Sequence, residues 1–518
     1  MKTTKRYVMY KSFVFTTIDN SQDVRTSVLN TKLKEIWKFC LYAVLGPFLF
    51  YELYLIAVNQ LGHADKVESS LPAGQQVPNQ TRPVFWIYAK SPDEGYLKHV
   101  LKILERLGFQ RGSNESDWDL LWAHDYPFRT LSAELKNLRP HQRVNHFPGC
   151  GYITNKVDLS TTEGKYIPLS FKLPDNKNGL LSYVAANPGK SFVQKSNAHR
   201  GIRIRKVEEL DLDGEGSFVQ EYIDKPYLVD GYKFDIGIYT VITSIDPLRV
   251  YAYKGDVLFR FCPTKYYPFD PEDVDKYVVG DDYLPIWNVP SLKDYYVKLG
   301  FSMKDSFDAY VRSKGRNPED VWDKAFEAIT EVALKKEAQI NEIARRFNNR
   351  RNFFELVRFD FTLDEDLNVF VMEANMSPNL SSAHYPPNRL LYEQVLFNLF
   401  ALIGIAQRSN EDFRRPRSWQ DREVEVADKN LVVLPELCRA CNDCFRVECQ
   451  LCKPCFTDET RLILSQSYLE HQNKMDYKRI FPPSIITKDM VLKDYTMRNQ
   501  LLVRWYQGKC EIDPTWCR

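Results

Sequence analysis

The chain has 518 residues, enough for two or three domains, and its 44% hydrophobic and 27% charged residues are typical of a globular protein. Because 70 basic and 68 acidic side chains leave a net charge of only +2, the composition excludes a protein that binds nucleic acid through its overall charge. Attraction to an acidic partner would have to come from local basic patches.

The longest apolar run, residues 36–59, follows a basic N-terminal segment, residues 1–35. A run of about 20 residues matches the thickness of a bilayer, so this segment predicts a transmembrane helix and a single-pass membrane protein. The basic flank predicts a cytosolic N-terminus, with the rest of the chain in the lumen. The alternative is a buried core helix. Residues 60–82 are polar and contain prolines, which predicts a linker.

A strand–helix–strand pattern begins after the linker. Val84–Tyr88 and Trp118–Trp122 are short apolar segments typical of strands, and Gly95–Leu107 between them has the apolar spacing of a helix. The pattern predicts a small α/β domain over residues 83–165.

Residues 166–406 alternate long strands with helices. The predicted strands are Phe192–Lys195, Phe218–Ile223, Phe234–Thr243, Leu248–Tyr253, Phe353–Leu363 and Val369–Asn375. The predicted helices cover residues 318–347 and 390–405. Such mixed alternation predicts an α+β fold and not a doubly wound parallel sheet.

The last two of these strands flank an acidic turn, which predicts an antiparallel hairpin. In such a hairpin Asp360 and Glu373 lie across from each other, about 5 Å apart, and Asn375 points to the same face as Glu373. Two carboxylates and an amide oxygen are suitable ligands for Mg²⁺ beside nucleotide phosphates. The alternative is a solvated strand face without a metal.

A second group of candidate residues lies on the preceding strands. Lys233 and Asp235 are predicted to share one strand face, where a lysine can neutralise a phosphate. The strand Phe218–Ile223 ends near a proline, as in connectors that border an adenine. Lys195 ends another strand and precedes a short loop that contains a single glycine, a weak signal for phosphate binding.

Several motifs in this part of the chain occur in the order found in tubulin tyrosine ligase-like proteins. They are Phe147-Pro148-Gly149 with Lys156, Pro168 to Phe171, Gln220 to Ile223, Lys233-Phe234-Asp235, Thr243-Ser244 with Pro247 to Tyr251, Arg260-Phe261, and Glu373 to Pro378. The chain resembles this family over residues 83–406. The resemblance implies an ATP-grasp fold, in which two α+β lobes hold ATP between their sheets.

The resemblance also implies roles for individual residues. The implied nucleotide-binding residues are Lys156, Lys195, Gln220, Glu221, Tyr222, Ile223, Lys233 and Asp235. Arg260 and Lys233 resemble the catalytic cations near the transferred phosphoryl group, and Asp360, Glu373 and Asn375 resemble the Mg²⁺ ligands.

The implied activity is an ATP- and Mg²⁺-dependent ligase that adds free glutamate to glutamate side chains of tubulin tails through an acyl phosphate. Two alternatives remain: a non-catalytic, membrane-tethered protein that binds tubulin or nucleotide, and a ligase for another amino acid or another protein. Two basic clusters are candidates for guiding an acidic tail, one from Arg200 to Lys206 and one from Arg345 to Arg351.

The chain departs from the family pattern at Gly237. The family usually has Lys-Phe-Asp, a hydrophobic residue and then arginine, and Gly237 stands at the arginine position. A missing guanidinium removes a charge that would hold a phosphate or a carboxylate, and this favours the non-catalytic alternative. Arg200 and Arg203 are candidates to replace it.

The C-terminal region, residues 407–518, contains eight of the eleven cysteines and is predicted to be a separate unit. Pairs spaced C-x2-C predict either structural Zn²⁺ in the cytosol or disulfides in an oxidising compartment. A lumenal catalytic domain conflicts with a tubulin substrate, because a microtubule association requires the cytosol, and the sequence leaves this conflict open.

Overall fold

Three β-sheets organise the residues that the computed structural model describes, which are 82–196, 202–406, 419–483 and 492–517. All of them belong to one compact unit, Gln80–Arg518.

The N-terminal sheet consists of four parallel strands in the order β2-β1-β3-β4. The strands are β1 (Val84–Tyr88), β2 (Gln110–Arg111), β3 (Leu120–Ala123) and β4 (Arg143–Val144). Helix α1 (Lys98–Arg106) follows β1 and buries Val100, Ile103 and Leu104, which share one helix face. These elements lie at the positions of the predicted strand–helix–strand pattern.

A second sheet is antiparallel, in the order β5-β8-β6-β7. Its strands are β5 (Ser170–Leu173), β6 (Phe192–Ser196), β7 (Arg203–Arg205) and β8 (Ser217–Glu221). A small apolar core that includes Phe171, Phe192 and Val219 packs against one face of this sheet.

The central sheet is antiparallel and is built around the 12-residue strand β9 (Phe234–Ile245). Strand β9 pairs with three other strands, which are β10 (Leu248–Tyr253), β11 (Leu258–Phe261) and β13 (Glu355–Leu363). The sheet is completed by β12 (Leu284–Pro285), β14 (Val369–Asn375) and β15 (Tyr477–Phe481). All nine residues of β13 are buried.

Helices cover and connect the three sheets. After α1 they are α2 (Ser132–Leu135), α3 (Gly151–Thr154), α4 (Lys156–Ser160), α5 (Lys177–Ala186), α6 (Pro290–Lys293), α7 (Met303–Ser313), α8 (Glu319–Ala344), α9 (Arg389–Leu402), α10 (Trp419–Glu425), α11 (Asp428–Leu431), α12 (Pro435–Cys438), α13 (Asp458–Asn473) and α14 (Met497–Ile512). The two long predicted helices correspond to α8 and α9. The mixed sheets and helices agree with the predicted α+β class.

The C-terminal region differs from the predicted separate unit. It has a small core of its own, which includes Leu451, Leu464 and Trp505. However, β15 pairs with β10 at the edge of the central sheet, and Tyr477 and Phe481 belong to the main core. The region is therefore structurally continuous with the rest of the fold.

All eight cysteines of this region form disulfides: Cys438–Cys452, Cys441–Cys449, Cys444–Cys455 and Cys510–Cys517. The zinc alternative is therefore wrong for these cysteines, because a thiolate that has been oxidised to a disulfide is not available as a zinc ligand. The disulfide alternative is confirmed.

The membrane prediction requires a correction. Within the four described ranges, no helix combines the length and the apolar character that crossing a bilayer requires. Residues 36–59, on which the prediction rested, lie outside these ranges. We therefore do not retain the description of the chain as a single-pass membrane protein.

Candidate active site

The residues singled out in the sequence converge on one cavity, which is lined by residues of the second sheet and of the central sheet. Its lining includes Lys156, Lys195, Gln220, Glu221, Tyr222, Ile223, Lys233, Asp235, Arg260, Asp360 and Glu373. Asn375 is not part of the lining, but its side chain bonds to two residues that are.

The carboxylate pair lies on the β13–β14 hairpin. Asp360 is directly opposite Glu373 in the strand register, as predicted. Asn375 Nδ2 donates hydrogen bonds to Asp360 Oδ2 and Glu373 Oε1, each at 3.1 Å. The hairpin thus brings two carboxylates and an amide to one point on the wall of the cavity.

Lys156 faces this point from the start of α4. Its Nζ lies 3.1 Å from Glu373 Oε2. The helix is capped by Asn155, whose side chain accepts hydrogen bonds from the backbone N–H groups of Val157 and Asp158. Burial acts to raise the pKa of Glu373, but attraction to Lys156 and the hydrogen bond from Asn375 outweigh it and lower this pKa to about 2. Glu373 is therefore ionised at neutral pH.

Arg260 on β11 connects the carboxylates of two neighbouring strands. Its Nε and Nη2 atoms donate to Asp235 Oδ1 and Oδ2 at 2.9 and 2.7 Å, and Nη2 also donates to Asp360 Oδ2 at 2.8 Å. Burial raises the pKa of Asp235 to about 6, although the charge of Arg260 opposes this shift. The Arg260 guanidinium therefore lines the cavity and contacts Asp360, one of the carboxylates predicted to bind Mg²⁺.

Two further lysines line the cavity. Lys195 Nζ donates to Gln220 Oε1 at 2.8 Å, and burial lowers the pKa of Lys195 to about 8. Lys233 lies directly before β9, and its Nζ donates to the backbone oxygen of Tyr277 at 2.9 Å. Both ammonium groups are positioned to meet an anionic ligand.

The segment from Gln220 to Ile223 forms another part of the wall. Gln220 is fully buried, and its Nε2 donates to Ser170 Oγ at 3.0 Å. The Glu221 carboxylate accepts a hydrogen bond from Tyr183 and pairs with Lys190. Tyr222 shares a hydrogen bond with Tyr266. These contacts orient the side chains at the end of this strand beside the cavity.

Sequence reasoning missed the apolar part of the lining, which includes Val193, Phe218, Val278, Val279 and Met372. The two-residue spacing of a strand would have identified Val193 from Lys195 and Phe218 from Gln220. No local signal marks Val278 and Val279, because they belong to a loop that only the tertiary fold brings to the cavity. Apolar walls with a few polar groups are typical of sites for small molecules and cofactors.

The residues present fit a bound Mg²⁺. The hairpin supplies two carboxylates, and rotation of the Asn375 amide would turn its oxygen to the same point. Oxygen ligands of this kind are the ones that Mg²⁺ takes. In addition, Thr362 Oγ1 is buried beside the cavity without a hydrogen-bond partner among the described residues. A buried polar atom of this kind has unused capacity for a hydrogen bond.

Arg203, one of the two proposed substitutes for the missing arginine, does not line the cavity. Arg203 lies exposed on β7 and pairs with Glu272, and Arg200 lies outside the described residues. Arg358 on β13, which the sequence reasoning missed, instead lies next to Gly237 and donates two hydrogen bonds to Asp360.

A separate buried cluster fixes the Phe147-Pro148-Gly149 motif. Within the described ranges, His146, Cys150 and Glu355 have ligand atoms close enough to share a metal ion. However, both ring nitrogens of His146 are already engaged, with Glu355 Oε1 at 2.7 Å and the Ala123 oxygen at 2.8 Å. Glu355 Oε2 also accepts the Phe147 N–H at 2.9 Å. We therefore assign this cluster a structural role.

The fold and the cavity together define the class of the protein: a mixed α+β protein with a cation-rich cleft that contains facing carboxylates. A model of the tubulin-tyrosine ligase family matches residues 133–412, which is more than half of the chain. The chain therefore belongs to the tubulin-tyrosine ligase family, whose fold is of the ATP-grasp type.

Similar proteins support this assignment. The chain is 41% identical over 452 residues to the probable tubulin polyglutamylase ttll-15 of Caenorhabditis elegans, a match that covers 83% of this chain and 85% of that protein. It is 29% identical to the human tubulin monoglutamylase TTLL4, over 60% of this chain and 27% of that protein. It is 28% identical to the mouse tubulin polyglutamylase TTLL6, over 65% of this chain and 43% of that protein.

Proposed function

We propose that the chain is an ATP- and Mg²⁺-dependent ligase that adds glutamate to glutamate side chains of tubulin tails. The observation that carries this proposal is the convergence of Asp360, Glu373 and four cationic side chains on one cavity. The names of the similar proteins support tubulin as the acceptor and glutamate as the added residue.

Asp360, Glu373 and Asn375 would hold Mg²⁺. When bound, this ion offsets the negative charge of nucleotide phosphates and of a phosphoryl group in transfer. The apolar wall formed by Val193, Phe218 and the 278–279 loop suits the adenine ring. In this arrangement the three lysines of the cavity contact the phosphates, and the ribose lies near Asp235.

The reaction forms one amide bond in two steps. A carboxylate oxygen of the acceptor glutamate attacks the terminal phosphorus of ATP, which gives an acyl phosphate and ADP. The amine of free glutamate then attacks the acyl carbon, and inorganic phosphate and a proton leave. Charge develops on the transferred group in the first step, and Arg260 and Lys233 are the cations that we assign to its stabilisation.

An acidic tail would approach along β7. Arg203 and Arg205 are exposed on this edge strand, and the adjacent Ile202 lines the cavity. Positive charge at the entrance of a site raises the local concentration of an acidic substrate. Binding of the tail by this strand should therefore weaken as the salt concentration rises.

Replacement of Glu373 by glutamine tests the proposal. The substitution keeps the size of the side chain but removes the charge that pairs with Lys156, so we expect loss of ATP-dependent incorporation of labelled glutamate into tubulin, by at least about 100-fold. Purified wild-type and variant proteins are compared with Glu134→Gln, a substitution at an exposed residue of α2.

Full incorporation by the Glu373→Gln protein would refute the assignment of the metal site. Wild-type protein that binds ATP but incorporates no glutamate would instead favour the non-catalytic alternative. Incorporation of a different labelled amino acid would favour a ligase of another specificity.

A further inference from the structure

Gly237 lies within β9, opposite Asp360 of β13 and Leu258 of β11. A Cβ atom at this position would lie 2.9 Å from Cδ of Arg358 and 3.2 Å from both Arg358 Nε and Asp360 Oδ1. Because carbon atoms that are not bonded pack at about 3.5–4.0 Å, such an atom would collide with the arginine. The Arg358 side chain thus occupies the space that a side chain at position 237 would need.

Arg358 is buried, with 6% of its surface exposed, and its guanidinium pairs with the Asp360 carboxylate. Nε donates to Asp360 Oδ1 at 2.6 Å and Nη2 donates to Asp360 Oδ2 at 2.7 Å. This two-point contact fixes both the position and the rotation of the carboxylate, which a single ammonium group would not do. Arg358 is not among the residues that line the cavity, whereas Asp360 is, so Arg358 contacts Asp360 from outside the cavity.

The charges around Asp360 balance. Asp235 and Asp360 contribute two negative charges, and Arg260 and Arg358 contribute two positive charges, all within one hydrogen-bonded cluster. Without Arg358, Asp235 and Asp360 would both depend on Arg260 for a compensating positive charge. Since an unbalanced buried charge is costly, Arg260 would be drawn more strongly to the acids and away from a ligand in the cavity.

We propose that Arg358 is a positioning residue that orients the Asp360 carboxylate for Mg²⁺, and that Gly237 is a glycine because it makes room for Arg358. This inference rests on the proposed function, in which Asp360 is a ligand of the metal. It follows that the space between these strands holds one arginine side chain, either from position 358 on β13 or from position 237 on β9. It does not hold both.

The test measures Mg²⁺-dependent ATP binding by calorimetry and the thermal unfolding temperature of each protein. We expect Arg358→Gln, which removes the guanidinium but keeps a polar side chain, to weaken Mg²⁺-dependent binding about 10- to 100-fold. Gly237→Ala should weaken it at least several-fold, because the added methyl group displaces Arg358. The control is Gly151→Ala, since a Cβ at Gly151 meets no atom within 4 Å.

Two combined variants distinguish this role from general destabilisation. In an Arg358→Gly background, Gly237→Ala should have little further effect, because the colliding side chain is gone. The exchange variant Gly237→Arg with Arg358→Gly should bind Mg²⁺–ATP more tightly than either single variant. An additive effect of the two substitutions, or no recovery in the exchange variant, would overturn the proposal.

Failure of the proposed function gives a different pattern. Wild-type protein that binds Mg²⁺–ATP but transfers no glutamate refutes the ligase assignment, while the binding measurements still test Arg358. If every variant binds nucleotide equally tightly with and without Mg²⁺, the positioning role of Arg358 is overturned. Wild-type protein that binds no nucleotide overturns both.

Discussion

The charge of Lys195 depends on its surroundings in the cavity. Burial lowers its pKa from 10.5 to about 8; the nearby charge of Glu373 opposes this shift, and Lys233 and Lys156 reinforce it. Removing water from an ammonium group disfavours its charged form, whereas a bound phosphate restores it. The charge state of Lys195 therefore depends on whether an anion is bound beside it.

This shift predicts a pH dependence of nucleotide binding. ATP binds the protonated lysine, so its affinity should be constant below about pH 8 and should fall up to tenfold for each pH unit above it. Lys195→Arg should remove this decline, because arginine keeps its proton throughout the range. Binding titrations from pH 6.5 to 9.5 measure the effect. The same decline in both proteins would show that another group is responsible.

At the level of elements, a buried ion pair joins the C-terminal helix α13 to the central sheet. Glu470 on α13 accepts hydrogen bonds from Arg249 Nε at 2.9 Å and Nη2 at 3.1 Å, and from Thr243 and Tyr251 at 2.9 Å. Both charged residues are less than a tenth exposed. Such a cluster tolerates the loss of one partner poorly, because the other charge stays buried.

We therefore expect Glu470→Ala to lower the free energy of unfolding by about 3–5 kcal/mol. The matched control is Glu459→Ala on the same helix, because Glu459 pairs with Arg498 at a half-exposed position. Exposed pairs contribute about 0–1 kcal/mol, so the control should differ little from wild type. Equal effects of the two substitutions in urea unfolding would refute the role of the buried pair.

The elements show which parts of the fold the sequence can predict. The hairpin and the register of Asp360 with Glu373 follow from strand periodicity and one turn, both of which are local. The pairing of β9 with β13 joins segments more than 100 residues apart, so no local pattern indicates it. For this reason Gly237 was identified as a departure, while its partner Arg358 was missed.

At the scale of the molecule, the cysteine-rich region belongs to the same compact unit as the candidate site. The sequence predicted a separate unit because cysteine content changes sharply there, but composition carries no information about strand pairing. Strand β15 adds to the central sheet next to β10. Three disulfides within residues 438–455 close short loops around the small C-terminal core. The region thus extends the edge of the sheet that carries the site.

Mass spectrometry of tubulin tails after incubation with the purified chain, ATP, Mg²⁺ and glutamate tests the central claim most directly. We predict tail peptides that carry added glutamate on the side-chain carboxylate of an internal glutamate, and none after incubation with the Glu373→Gln protein. Tails that remain unmodified by wild-type protein with demonstrated Mg²⁺–ATP binding would contradict the assignment of this chain as a tubulin glutamate ligase.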